Sequence, residues 1–132
     1  MATLKNYLLS VTLCALFISS FSIGECKSLN KGDEYFEQSN FVSAIDYYKK
    51  EMKKSPKNAY LYSQYCGAES YLYESDKSIN LNETIELCNK ALNLNPKNAD
   101  TYFYRGRINQ FLNNDDLAID DYSNAIKLNF SI

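Results

Sequence analysis

The side chains best equipped for chemistry in this chain are its cysteines and one acidic cluster. There are four cysteines, Cys14, Cys26, Cys66 and Cys88, and no histidine. Without histidine the commonest general base and metal ligand is missing, and scattered cysteines alone make a poor metal site. Disulfide chemistry remains. Cys66 and Cys88 fall on consecutive expected helices and could face each other, closing a loop of about twenty residues worth about 3 kcal/mol. Buried free thiols at small-residue core positions are the other reading of the pair. Asp115, Asp116, Asp120 and Asp121 gather the carboxylates a calcium site needs, but lack the loop spacing and glycine of an EF-hand. They read instead as a helix N-terminus with a solvated acidic face. No glycine-rich phosphate loop and no nucleophile–base arrangement occurs. The expectation is therefore a non-enzyme with no catalytic residue, no metal and no cofactor.

Composition narrows the partner class. The chain has 132 residues and a formal net charge of -2, enough for one domain with a core and without the basic face that nucleic acid demands. At the N-terminus, Met1-Ala2-Thr3-Leu4-Lys5-Asn6 precedes an apolar run from Tyr7 to Ile23. Small residues follow, and Ser22-Ile23-Gly24 suits a signal peptidase, so residues 1–24 read as a signal peptide cleaved after Gly24. The expected location is exported, either periplasmic or secreted. Membrane attachment follows only if that segment is retained as an anchor or if Cys26 is lipidated, and Glu25 beside Cys26 is foreign to a lipidation motif. In a eukaryotic secretory route Asn82-Glu83-Thr84 and Asn129-Phe130-Ser131 match the glycosylation acceptor pattern.

The elements that must position these side chains announce themselves by repetition. Ser55-Pro56-Lys57-Asn58-Ala59 returns as Asn95-Pro96-Lys97-Asn98-Ala99, 40 residues later. A fixed period of this size marks a stack of identical supersecondary units. Gly32, Cys66 and Gly106 are spaced 34 and then 40, whereas Ala44, Thr84 and Ala118, like Tyr48, Cys88 and Tyr122, are spaced 40 and then 34. The reversal places a six-residue insertion between the two helices of the middle unit, in the polar stretch Glu74 to Asn80. Each unit carries two helices, and Pro56 and Pro96 end the second helix of the first two units. Residues 25–58, 59–98 and 99–132 are the three units. Tyr48, Tyr62, Tyr102 and Tyr122 are expected to fill helix interfaces with their hydroxyls at the rim.

These positions resemble the tetratricopeptide repeat (TPR). Its pattern is an aromatic early in the first helix, a small residue four on, small, aromatic and small residues along the second helix, and a closing proline. The last unit matches through Tyr102, Gly106, Ala118, Tyr122 and Ala125, the first through Gly32, Tyr35, Ala44, Tyr48 and Pro56, and the middle through Tyr62, Ala91 and Pro96. Cys66, Thr84, Glu51 and Phe130 depart from it. The resemblance implies an all-α, right-handed superhelical solenoid of three antiparallel helix pairs, with a concave groove lined by the first helix of each pair.

Groove positions carried over from the family are Leu29, Asn30, Asp33, Phe36 and Glu37 in the first unit, Tyr60, Ser63, Gln64, Gly67, Ser70 and Tyr71 in the second, and Asp100, Phe103, Tyr104, Arg107, Gln110 and Phe111 in the third. This lining suits a peptide or helix held by aromatic packing and side-chain hydrogen bonds. Family members that clamp a C-terminal carboxylate use lysine, asparagine and arginine at positions that here are Leu29, Asp33, Gln64, Asp100 and Tyr104. None is cationic, so that clamp is absent. The resemblance thus implies an exported, non-catalytic protein–protein interaction scaffold with a protein or peptide partner. The alternative is a structural or self-associating subunit acting through the C-terminal repeat edge, where Ile126, Leu128 and Phe130 are expected to be exposed.

Overall fold

The computed structural model describes residues 30–129, and the expected signal peptide, Cys26, Leu29 and Phe130 lie outside them. Among the described residues there are six helices and no strand: α1 Lys31–Glu37, α2 Phe41–Lys54, α3 Ala59–Leu72, α4 Leu81–Leu94, α5 Ala99–Phe111 and α6 Asp115–Asn129. None is long and apolar enough to cross a membrane.

Asparagine starts the helices. The side chains of Asn30, Asn40, Asn58, Asn80 and Asn98 each accept a hydrogen bond from a backbone N–H of the first turn that follows, satisfying a donor that the helix itself leaves unpaired. The repeated Pro-Lys-Asn-Ala phrase is therefore a stop and a start. Its proline follows α2 or α4, and its asparagine caps α3 or α5.

Two of the turns within hairpins are copies of one another. Ser39 and Asn113 both take φ of 58°, the left-handed region. There the Asn40 and Asn114 N–H groups bond back to the carbonyls of Tyr35 and Asn109, each at 2.8 Å, which is the Schellman closure of a helix C-terminus. Those two connections span residues 38–40 and 112–114, three residues each, whereas 73–80 between α3 and α4 spans eight. Five of the six inserted residues thus enlarge the loop, and the sixth lengthens α3, which has 14 residues against 13 in α5.

Packing follows chain order, each helix against the next, with α3 also against α5. The helix compositions reflect it. In α2 only Ala44, Ile45 and Tyr48 are buried, one stripe on one face. By contrast α3, enclosed by α2, α4 and α5, buries Leu61, Ser63, Tyr65, Cys66, Gly67, Ala68 and Ser70. Small and hydroxyl residues there let neighbouring helices approach. The Thr101 hydroxyl donates to Ser63 Oγ at 2.7 Å between α5 and α3, and the Thr84 hydroxyl donates to Glu69 Oε2 at 2.8 Å between α4 and α3.

Within each hairpin one position on the first helix meets one on the second. A Cβ on Gly32 would lie 2.5 Å from the Tyr48 ring, and one on Gly106 would lie 2.8 Å from the Tyr122 ring, so both glycines make room for an aromatic. In the middle hairpin the equivalent residues are Cys66 and Cys88, both fully buried. They face each other as a disulfide pair with Cα atoms 5.5 Å apart, inside the span a disulfide bridges. A covalent contact occupies the place that glycine and tyrosine hold in the other two hairpins.

The acidic cluster divides. Asp115, Asp116 and Asp120 are exposed, as a solvated helix start requires, but Asp121 is buried and contradicts that reading. Its carboxylate takes both Nε and Nη2 of Arg105, at 3.0 and 2.7 Å, and Asn109 Nδ2 at 3.1 Å. Arg105 Nη1 reaches on to Asn89 Oδ1 at 2.8 Å. One arginine thereby ties α5 to both α4 and α6.

Candidate partner-binding groove

Helical spacing assembles the groove wall. On α3, Tyr60, Gln64 and Tyr71 stand four and then seven residues apart, and on α5, Asp100, Tyr104 and Arg107 stand four and then three apart, so each set shares one face. Tyr60, Gln64, Tyr71, Tyr104, Arg107 and Phe111 are all half-buried, neither core nor free in solvent.

Tyr104 is the hub. Its ring occupies the space a Cβ on Gly67 would need, at 2.6 Å, and lies 6.3, 6.2 and 6.0 Å from the rings of Tyr71, Phe36 and Phe103. Burial above all, then the charge of Asp100, the Tyr71 hydroxyl and the charge of Asp33, push the Tyr104 hydroxyl above its ordinary range, against an opposing pull from Arg107. The hydroxyl remains a proton donor amid carboxylates. Tyr71 in turn stacks on Phe41 at 5.4 Å with planes 11° apart.

Asp33 sits at the floor, 7% exposed. Its Oδ1 accepts from the Tyr48 hydroxyl at 3.0 Å. Burial, then hydrogen bonding to Asp33, raises the Tyr60 hydroxyl, and burial followed by the Asp33 charge does the same to Tyr48. Arg107 lies at the other end. Its guanidinium stands over the Tyr71 ring at 4.1 Å, a cation–π distance, and pairs with Glu74. Its buried Nε has no hydrogen-bond acceptor among the described residues. Glu74 belongs to the enlarged 73–80 loop, which also brings Lys77 over the Tyr73 ring at 4.1 Å, with Phe111 packed against Tyr73 at 5.1 Å.

Several carried-over groove positions sit elsewhere. Ser63, Gly67 and Ser70 are buried, Ser63 bonded to Thr101 and Gly67 beneath Tyr104; they are consumed by helix packing because α5 lies directly against α3. Phe103 is 40% exposed and, 5.8 Å from Tyr122, lines a cleft of about 420 Å³ with Ala99, Asp100, Ala125, Ile126 and Asn129. That cleft is the C-terminal edge. Ile126 is exposed there, whereas Leu128 is half-buried and turns to a separate outer cleft with Tyr102 and Pro96.

Of the interface tyrosines, Tyr48 departs from the expected rim placement, being fully buried with its hydroxyl ending on the buried Asp33 because α1 and α2 close over it, whereas Tyr62 and Tyr122 do anchor their hydroxyls at rims. Tyr62 donates to the Pro56 carbonyl at 3.0 Å and Tyr122 to Gln110 Oε1 at 3.0 Å. The Glu74–Arg107 pair was not foreseen from the sequence; its sequence separation of 33 hides it from any helical spacing, and only the charge on the inserted loop hints at it.

A tetratricopeptide repeat model matches residues 87–120, from the second half of α4 through α5 into α6. No curated protein matches the chain. Solved structures do. The first TPR domain of the human RPAP3 protein is 28% identical, with 77% of this chain and 76% of that one covered and a TM-score of 0.65. The first TPR of Spaghetti (RPAP3) bound to the HSP90 peptide SRMEEVD is 29% identical over 77% and 76%, with a TM-score of 0.64. TPR2B of yeast Sti1, in complex with an Hsp70 peptide, is 24% identical over 77% of both chains, with a TM-score of 0.65. Helix order, glycine–tyrosine contacts and these likenesses agree that the chain has the all-α helical-repeat fold of TPR proteins.

Proposed function

We propose that this chain is an exported, non-catalytic protein–protein interaction module that holds a peptide or helix of its partner along the α3/α5 groove. The observation that carries the reading is the half-buried aromatic wall of Tyr60, Tyr71 and Tyr104 with Arg107 stacked at its end. Pre-formed aromatic and arginine surfaces of this kind are where binding energy concentrates. Peptide complexes of the similar Spaghetti and Sti1 domains support a protein partner. The units 25–58, 59–98 and 99–132 follow the signal peptide in this reading. Affinity capture from the native host, with mass spectrometry of retained proteins, tests it: Tyr104→Ala combined with Arg107→Ala should remove a partner that the unaltered chain retains. Retention unchanged in that variant sinks the groove reading.

A second reading rests on the edge cleft. Phe103, Tyr122, Ala125 and Ile126 form an almost wholly apolar recess, suited to covering by a second copy or an assembly partner. Size-exclusion chromatography with light scattering decides it. Ile126→Glu should convert a dimer to a monomer, and a monomer at micromolar concentration before any substitution removes self-association.

A further inference from the structure

The last hairpin repeats an apolar face that the first two cover. In α2, Ile45 is 6% exposed and shares one core cluster with Leu61, Tyr65 and Ala68 of α3. Its copy in α4, Ile85, packs against the cluster that holds Ile108 of α5. The third copy, Ile119 of α6, is 61% exposed. One position further along the same faces stand Met52, Leu92 and Ile126. Met52 packs against the first cluster and Leu92 is buried, but Ile126 is 58% exposed. Helical spacing puts Ile119 and Ile126 on one face of α6, and Ile126 opens into the cleft of about 420 Å³ with Phe103 and Tyr122. The register that builds the stack thus continues through the third hairpin, with apolar residues in place and, among the described residues, no helix over them.

One kind of element covers the earlier copies: the first helix of the following hairpin. α3 meets α2 with Leu61, Tyr65 and Ala68. At the first and last of these positions α5 carries Thr101 and Ile108, both fully buried, Thr101 on Ser63 of α3 and Ile108 among Cys66, Leu81 and Cys88. A second copy of this chain stacked head to tail would present α1 instead. There the position of Ala68 and Ile108 is Glu34, which is exposed, with exposed Lys31 three residues before it. Burying those unpaired charges against Phe103 and Ile126 is costly, which disfavours that occupant.

Resting on the edge reading above, we propose that the α5/α6 face takes an amphipathic helix of a partner protein, laid across it as α5 lies across α3 and α4. Its contact residues stand at i, i+4 and i+7, the spacing with which α3 covers α2. Phe103 occupies the position that Ser63 holds in α3, and Ser63 is the residue Thr101 meets. The larger ring requires a small residue, alanine or glycine, at the first contact position of the partner. Exposed Asp100 lines the cleft, and exposed Asp116 stands three residues before Ile119, so lysine or arginine flanking the apolar stripe complements the rim.

The test is selection over the immobilised full chain from two peptide libraries of one composition, with retained sequences read by mass spectrometry. One library places its apolar residues at i, i+4 and i+7, and the other places them at alternate positions. The helix-spaced library should be retained about tenfold over the alternating one, the effect of covering about one aliphatic side chain, with alanine or glycine leading at the first contact position. Ile119→Glu with Ile126→Glu should abolish that difference. Both side chains are mostly exposed, so the variant keeps the fold, which far-UV circular dichroism verifies. Equal retention of the two libraries, or a helix preference that survives in the glutamate variant, overturns the partner helix. If neither library is retained but the chain is a dimer that Ile126→Glu dissociates, the partner helix falls and the edge reading stands. A monomer that retains neither library overturns both.

Discussion

The middle hairpin offers a sharp perturbation, because its Cys66–Cys88 contact stands where Gly32–Tyr48 and Gly106–Tyr122 stand in its neighbours. Bridging residues 22 apart removes loop-closure entropy from the unfolded chain worth about 3.4 kcal/mol. With an unfolding entropy of about 2.1 cal/mol/K per residue over roughly 100 ordered residues, that corresponds to about 16 °C in Tm. Cys66→Ala with Cys88→Ala should therefore lower the melting temperature, followed by far-UV circular dichroism under non-reducing conditions, by about that amount. Cys66→Gly with Cys88→Tyr loses the same bridge but installs the buried ring of the other hairpins. Burying such a ring contributes about 1.5–3 kcal/mol, so this variant should recover about half of the loss and become indifferent to reductant. An alanine pair melting within about 3 °C of the unaltered chain, far below the chain-entropy expectation, would show that no bridge contributes to the folded state. A Gly/Tyr pair less stable than the alanine pair would refute the equivalence of the three contacts.

Other perturbations follow from the same contacts. Asp121→Ala strands Arg105 between α4 and α6; breaking a buried pair costs about 3–5 kcal/mol, reduced here to about 2–3 because Arg105 retains a quarter of its exposure, and urea unfolding measures it. Gly32→Ala forces a Cβ against Tyr48, which is fully buried and has nowhere to go, so overpacking should outweigh the gain in helix propensity and destabilise by about 1–2 kcal/mol in the same assay. Burial raises the hydroxyls of Tyr48, Tyr60 and Tyr104, so the unfolded chain loses these protons first. Their contribution is complete below about pH 10 and declines as pH rises beyond it, so thermal melts should show a steepening loss of stability above that pH. A Tm flat through that range would contradict the burial of the three hydroxyls.

The fold was legible because its signal is periodic. Gly32, Cys66 and Gly106 fall in step, as do Tyr48, Cys88 and Tyr122, and the mismatch between the two series located the enlarged loop without any structural knowledge. The groove was less legible. Position along a helix tells which face a side chain occupies but not how closely the next helix approaches, so Ser63, Gly67 and Ser70 read as groove and are buried beneath α5. Asp121 was misread for a related reason: in a run of aspartates nothing local distinguishes the one that meets Arg105, 16 residues earlier, from those that meet water. The cysteines were legible as a candidate pair, with a bridge and buried free thiols both open. Their alignment with glycine and tyrosine was visible in the register, but that a disulfide can stand in for a ring on a glycine is a fact of geometry.

The enlarged loop at 73–80 has a consequence for how such a protein can diversify. Its Glu74 pairs with the guanidinium of Arg107 on the groove wall, although only one residue was added to a helix to bring it there. Shortening the loop would release that arginine toward an incoming ligand and leave the glycine–tyrosine contacts of the stack untouched. Partner choice and mechanical integrity thus reside in different parts of the chain, and either can drift under selection while the other is held constant.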